Sequence, residues 1–160
     1  MYIPVVTTSL QAELRQTRPF ARKTSEALVA ILRTATVLEH AQNDVLRPHG
    51  ITQTQYNVLR ILQGAGREGL CGKEIAERLV SKVPDVSRLL DRMVDVDLVN
   101  RERDSADRRH VTARISVKGK RVLAQATPDL EVVEQRLFRG MPAATVVGLV
   151  TVLARIRESA

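Results

Sequence analysis

At 160 residues the chain is long enough for one domain with a sizeable core, and 44% hydrophobic with 27% charged residues excludes a disordered or fibrous polymer. Two Tyr, two Phe and no Trp make that core aliphatic and rule out a base-stacking surface, while the single cysteine, Cys71, excludes an internal disulfide. A formal charge of +7 points to an anionic partner, and between Arg101 and Arg121 eight basic residues stand against three acidic ones.

Taken in chain order, Met1 to Leu10 carry no Lys or Arg before the apolar Tyr2-Ile3-Pro4-Val5-Val6, and no apolar stretch is long enough to span a bilayer, so a cytoplasmic protein without membrane contact is expected. Pro19 can occupy the first turn of a helix, and Ala21, Ser25, Leu28, Ile31 or Leu32, Ala35, Leu38, Gln42 and Val45 recur at spacings of three and four. This long amphipathic helix ends at Arg47-Pro48-His49-Gly50. Thr52-Gln53-Thr54-Gln55 is a capping box opening a shorter helix to about Gln63, with Val58, Leu59, Ile61 and Leu62 inward. Residues 64–69 read as a loop, and Cys71 to Leu79 as a third helix with Ile75, Ala76 and Leu79 inward.

Ser81-Lys82-Val83 is a turn leading to Pro84, after which Val86, Leu89, Leu90 and Met93 share one helical face. That turns Asp85, Ser87, Arg88, Asp91 and Arg92 outward. Asp97 takes a helix-end place where glycine is common, at a cost if its backbone is left-handed. The period then changes to two: Val99, Arg101 and Arg103 alternate, as do Val111, Ala113, Ile115 and Val117 beyond an Asp104-Ser105-Ala106-Asp107 turn, giving a hairpin with a basic tip. Gly119 opens another helical stretch, which Thr127-Pro128 should kink or break. After Gly140 and Pro142, Ala143 to Arg157 form a last helix, apolar over most of its circumference. The expected fold is mainly α with a small β-hairpin wing.

Two short helices joined by a tight turn, the second presenting small and charged residues, followed by a basic hairpin, form a winged helix-turn-helix, whose recognition helix enters the major groove of DNA. At these residues the chain resembles the MarR family of bacterial transcription regulators. The resemblance is carried by Gly50-Ile51-Thr52-x-x-Gln55-Tyr56-x-Val58-Leu59, Lys73-Glu74-Ile75-Ala76-Glu77-Arg78-Leu79, Val86-Ser87-Arg88-Leu89-Leu90-Asp91-Arg92-Met93 and Leu98-Val99-x-Arg101-x-x-Asp104-x-x-Asp107-Arg108-Arg109. The match extends over about residues 20 to 157, and its most specific element is the Asp-x-x-Asp-Arg-Arg of the hairpin.

The resemblance implies one MarR-type domain over 1–160, with a DNA-binding lobe at about 50–120 and dimerisation helices at about 19–47 and 121–158. It implies a homodimer on a pseudo-palindromic operator, repressing until a small-molecule effector disturbs the spacing of its lobes. The apolar surface of residues 143–156 and the seam from Leu28 to Val45 agree with this, since they exceed what one small lobe covers. An intrachain two-helix core is the plainer reading of both.

In the recognition helix, Arg88 can fork onto guanine O6 and N7 and Ser87 can meet a base or phosphate, while Lys82 and Arg92 are phosphate contacts beside Pro84. A solvated face with Arg88 or Arg92 paired to Asp85 or Asp91 would need no DNA. Asp85 departs from the pattern, and accepts from cytosine N4 or braces Arg88. By resemblance Arg109 enters the minor groove, with Asp107 aiming it and Arg108 beside it. His40 and His49 are candidates for the border of an effector pocket, against satisfied helix-end histidines. Cys71, at a helix start where the dipole favours a thiolate, is a candidate redox switch, against a plain cap. Nothing in the sequence supplies a nucleophile-base pair, a phosphate-cradling loop or a metal-ligand cluster, so neither an enzyme nor a cofactor is expected. A winged helix used only for protein docking is the alternative, and the basic hairpin argues against it.

Overall fold

The computed structural model describes residues 9–103 and 111–160, with the Arg103 side chain left aside. Asp107, Arg108 and Arg109, and the turn that carries them, lie outside the described residues. Two compact units divide the chain at Ala41 and Gln42.

In the first unit, α1 (Leu10–Glu13) is a single turn capped by the Ser9 hydroxyl, which accepts from the Ala12 amide at 3.3 Å. Glu13 accepts from Arg33 Nε at 2.8 Å, which ties α1 to α2 (Lys23–Leu46). α2 begins four residues later than Pro19 predicts. Proline's fixed φ suits a first turn but does not create one, and Arg18, which would precede it as cap, offers no acceptor. The first turn instead closes on the Arg22 carbonyl, which accepts from Ser25 and Glu26, and on the Lys23–Glu26 ion pair.

In the second unit, the end of α2 buries Leu46 and passes into a 3₁₀ turn, Arg47–His49, that stops at Gly50 with a left-handed φ of 71°. α3 (Gln53–Ala65) starts on the capping box read from the sequence. The Thr52 hydroxyl accepts from the Gln55 amide at 3.3 Å, and the Gln55 side chain accepts from the Thr52 amide at 2.9 Å. The segment after α3 holds an element the sequence reading missed. A two-residue strand, β1 (Leu70–Cys71), precedes α4 (Gly72–Arg78), so the sheet has three strands rather than a bare hairpin. Two residues are too few to show a period, and their partner is more than forty positions away. The signal lay in Gly69, whose φ is +69° and whose absent Cβ would stand 2.5 Å from the Ala113 carbonyl.

α5 (Val86–Asp95) packs on α4 and leads to β2 (Val99–Arg103) and β3 (Val111–Ile115). The antiparallel order is β1-β3-β2, with Arg101 opposite Ala113 and Asn100 opposite Arg114. Asp97 between α5 and β2 has φ 59°, the left-handed conformation its place predicts. β3 ends at Ile115, and Val117, expected as an inward strand residue, is instead an exposed first residue of α6 (Val117–Leu137). Ser116 decides this, because its hydroxyl caps the new helix by accepting from Gly119 N at 2.8 Å while donating to the Asp97 carbonyl.

α6 runs through Pro128 without the expected break. Ala124 loses its usual amide partner, but the Thr127 hydroxyl turns back onto the Leu123 carbonyl at 2.8 Å, and Ala126, Leu130 and Val133 bury the helix on both sides of the proline. α7 (Ala143–Glu158) buries none of its residues fully. The core is aliphatic, with Val58, Leu59, Leu62, Ile75, Leu90, Met93 and Val99 at its centre. Among the described residues no helix is long and apolar enough to cross a membrane.

Gly119 fixes how α6 meets the sheet. A Cβ there would fall well inside contact distance of the Leu98 carbonyl and stand 3.0 Å from Ile115 Cγ1 and 3.1 Å from Leu59 Cδ2. Gly119→Ala should therefore cost about 1–3 kcal/mol, as overpacking against backbone does. Urea unfolding checks this, and an unchanged midpoint would contradict it.

Candidate nucleic-acid interface

The amphipathic spacing of α5 turns Leu89, Leu90 and Met93 into the core and leaves Ser87, Arg88, Asp91, Arg92 and Asp95 exposed. Its start is set by Asp85, whose carboxylate accepts from the Arg88 amide at 2.9 Å. Arg88 Nε lies 4.0 Å from the other Asp85 oxygen, at the outer edge of an ion pair, and the Arg88 side chain is 85% exposed. Asp85 is thus chiefly a helix cap, with its tie to the guanidinium weak. The signal was available in the sequence, since Asp one residue before a helical apolar run is a favoured cap.

α5 stands as a ridge between two open grooves. One, of about 490 Å³, is lined by Val83, Pro84, Asp85, Arg88, Asp91 and Arg92, which brings four of the candidate contact residues together. The other, of about 530 Å³, lies between α5 and the hairpin and takes in Ser87 with Asp91, Val94, Asp95, Arg101 and Val111. Lys82 is exposed in the turn ahead of Pro84. Neither Arg92 nor Lys82 has an acidic partner among the described residues.

Part of the basic excess is used inside the lobe. Arg101 of β2 pairs with Asp91 of α5, so the hairpin base is tied to the exposed helix, and Arg114 of β3 pairs with Glu102 of β2. Lys118 donates to the Val96 carbonyl at 2.8 Å, at the end of α5. The count of eight cations between Arg101 and Arg121 therefore overstates what is turned to a partner. The pairs were missed because they link residues 10 and 12 apart on different elements.

His49 Nε2 lies 2.8 Å from Asp129 Oδ2, so the end of the 3₁₀ turn is held to α6. His40 is exposed on α2 in the other unit. Cys71 is the half-buried residue before α4 and pairs with Thr112 in the sheet. Its backbone amide donates to Glu74 Oε2 at 2.8 Å, and that bond, with one from the Cys71 side chain and the nearby Arg78 charge, holds the Glu74 carboxyl below the usual carboxylate range. A lowered folded-state pKa gives stability present above the unfolded pKa and lost as pH falls through the folded one. Glu74→Gln should destabilise the lobe slightly near neutrality and flatten its melting profile through the acidic range. An unchanged acid limb would remove that role from Glu74.

A helix, a turn and an exposed capped helix, followed by a hairpin that joins the short strand ahead of them in a three-stranded antiparallel sheet, define a winged helix-turn-helix protein. Residues 49–110 match the model of the MarR family. Transcriptional regulator HosA of Escherichia coli O127:H6 is 31% identical over 93 residues, covering 58% of this chain and 67% of that protein. Among solved structures, the transcriptional repressor CouR bound to a 23-mer DNA duplex aligns with TM-score 0.74 and 26% identity over 88% of this chain and 99% of that one. MepR of S. aureus, also in complex with DNA, shares the fold with TM-score 0.76 and 21% identity, over 82% of this chain and 96% of that one. The chain belongs to the MarR family of transcriptional regulators.

Proposed function

We propose that this chain binds double-stranded DNA sequence-specifically as a homodimer, represses transcription from a pseudo-palindromic operator, and is released by a small-molecule effector in the cytoplasm. The observation that carries the reading is the capped, exposed α5 with Ser87, Arg88 and Arg92 along its outer side. A lobe at about 50–120 holds this helix in the major groove. Lys82 and Arg92 meet phosphates there, Pro84 borders the groove they share with Arg88, and Asp85 fixes the first turn. In the hairpin, Arg109 enters the minor groove, aimed by Asp107 and flanked by Arg108. CouR, similar over 88% of this chain and solved on a DNA duplex, supports duplex DNA as the partner.

Helices at about 19–47 and 121–158 join two copies. Support comes from α7, where Val147, Leu149, Val150, Val152 and Ile156 are all exposed, and from Leu28 and Leu32 on α2. His40 and His49 are each a candidate residue for the effector border. No observation favours the Cys71 redox reading over a cap.

Salt dependence tests duplex binding. Lys82 and Arg92 with their two-fold mates amount to four phosphate contacts, so log affinity should fall with log salt at a slope of about −3 to −4, steeper if the hairpin arginines add to it. A flat dependence in fluorescence anisotropy would instead favour a winged helix that docks protein.

A further inference from the structure

A second basic surface lies away from α5. The end of α3, the turn after it, β3 and the first turn of α6 enclose a cleft of about 250 Å³ lined by Gln63, Gly66, Arg67, Arg114, Ile115 and Lys120. Every ionisable residue among these is a cation. Arg114 is pre-aimed, because its Nε donates to the Arg67 carbonyl at 2.7 Å and its Nη1 pairs with Glu102. Its Nη2 makes no bond to a described residue, and neither Arg67 nor Lys120 has an acidic partner among them. The turn that carries Arg67 is held close to β3, since Gly69 leaves no room for a Cβ beside Ala113 and Thr112.

The sheet register sets this cleft apart from the proposed duplex surface. Side chains alternate across a strand, and Arg101, opposite the buried Ala113, reaches α5 at Asp91. Arg114, one residue on and opposite Asn100, therefore faces the other side of the sheet. Glu102 offsets one of the three cleft cations, which leaves a positive charge that a dianion would balance. A planar carboxylate is served by one arginine fork, whereas donors converging from three elements suit the tetrahedral oxygens of a phosphate.

We propose that this cleft binds a small phosphate-class dianion, either inorganic phosphate or the head of a phosphate monoester. The site does not depend on DNA binding, so its test contains none in the primary arm. Inorganic phosphate is titrated into the full-length chain by calorimetry, with chloride holding ionic strength constant, and saturable binding of one phosphate per chain is expected. Removing both exposed cations, Arg67→Ala with Lys120→Ala, should weaken binding at least about tenfold, the loss expected for charge-assisted hydrogen bonds. Removing the same charge elsewhere, Arg18→Ala with Arg22→Ala, should change it less than about twofold, as for screened surface charges. An unchanged melting temperature in chloride verifies that both variants fold. Absence of saturable heat, or equal loss in both variants, overturns the site. A parallel duplex titration separates the sources of phosphate. If the Arg67/Lys120 variant loses duplex affinity as strongly as phosphate affinity, the cleft is a DNA-backbone contact and the free-anion assignment fails. Should no form of the protein bind duplex while phosphate binding follows the expected pattern, the DNA reading falls and the cleft stands.

Discussion

Glutamate at both Leu149 and Leu153 is expected to convert the protein to a folded monomer that has lost tight operator binding. The two positions are one helical turn apart on α7, so they share a face, and Leu149 is 44% exposed in the single chain. Burying a leucine in full stabilises by about 1.5–3 kcal/mol, and because Leu149 and Leu153 are already partly covered in the single chain, losing two in each copy forfeits roughly half of four such values and raises the dimer dissociation constant by roughly 10²–10⁴-fold. Charges forced into the contact add a desolvation cost. Duplex affinity should fall with it, because two linked lobes engage their half-sites at a high effective concentration that a free lobe lacks. Sedimentation velocity measures the state, and far-UV circular dichroism distinguishes a monomer from an unfolded chain. A double variant that remains dimeric would move the interface off α7, and a wild type that is monomeric at micromolar concentration would remove the dimer altogether.

The parts of the lobe that were legible in the sequence are those whose information is local. Thr52 and Gln55 are three residues apart and cap their own helix, and the inward face of α5 follows from a spacing of three and four. What was not legible is what only tertiary contact decides. Pro128 should have kinked or broken α6 on local grounds, but the helix continues, because a hydroxyl next to it and a buried face on either side outweigh one missing amide bond. β1 exists because Gly69 lets the chain lie against β3, a pairing no window of the sequence contains. At the candidate interface the same division holds. The exposure of Ser87, Arg88 and Arg92 was readable from periodicity, whereas the capture of Arg101 by Asp91 and of Arg114 by Glu102 was not.

Arg88→Ala is expected to relax the preference for one base pair in each half-site while leaving general duplex affinity largely intact. The side chain is 85% exposed, and the weak approach of Asp85 is its one ion pair among the described residues. A guanidinium in that position gains most from guanine, whose O6 and N7 accept both arms of its fork, and losing such a pair costs about 1–3 kcal/mol of discrimination. The helix itself should survive the change, because the Asp85 carboxylate caps the backbone amide of residue 88 and not its side chain. Asp85→Asn then isolates the second role of that residue. Asparagine keeps the cap but removes the charge near Arg88, so folding should be preserved while the arginine moves more freely. The operator would come from sequencing genomic DNA retained by the purified protein, and each variant would be titrated against versions of it mutated at the half-site core and at the flanks. Phosphate contacts from Lys82 and Arg92 are blind to sequence, so their loss lowers affinity for every duplex alike. If Arg88→Ala also lowers affinity uniformly, with no base pair losing its preference, Arg88 is a backbone contact and the specificity of α5 must come from Ser87 and its neighbours.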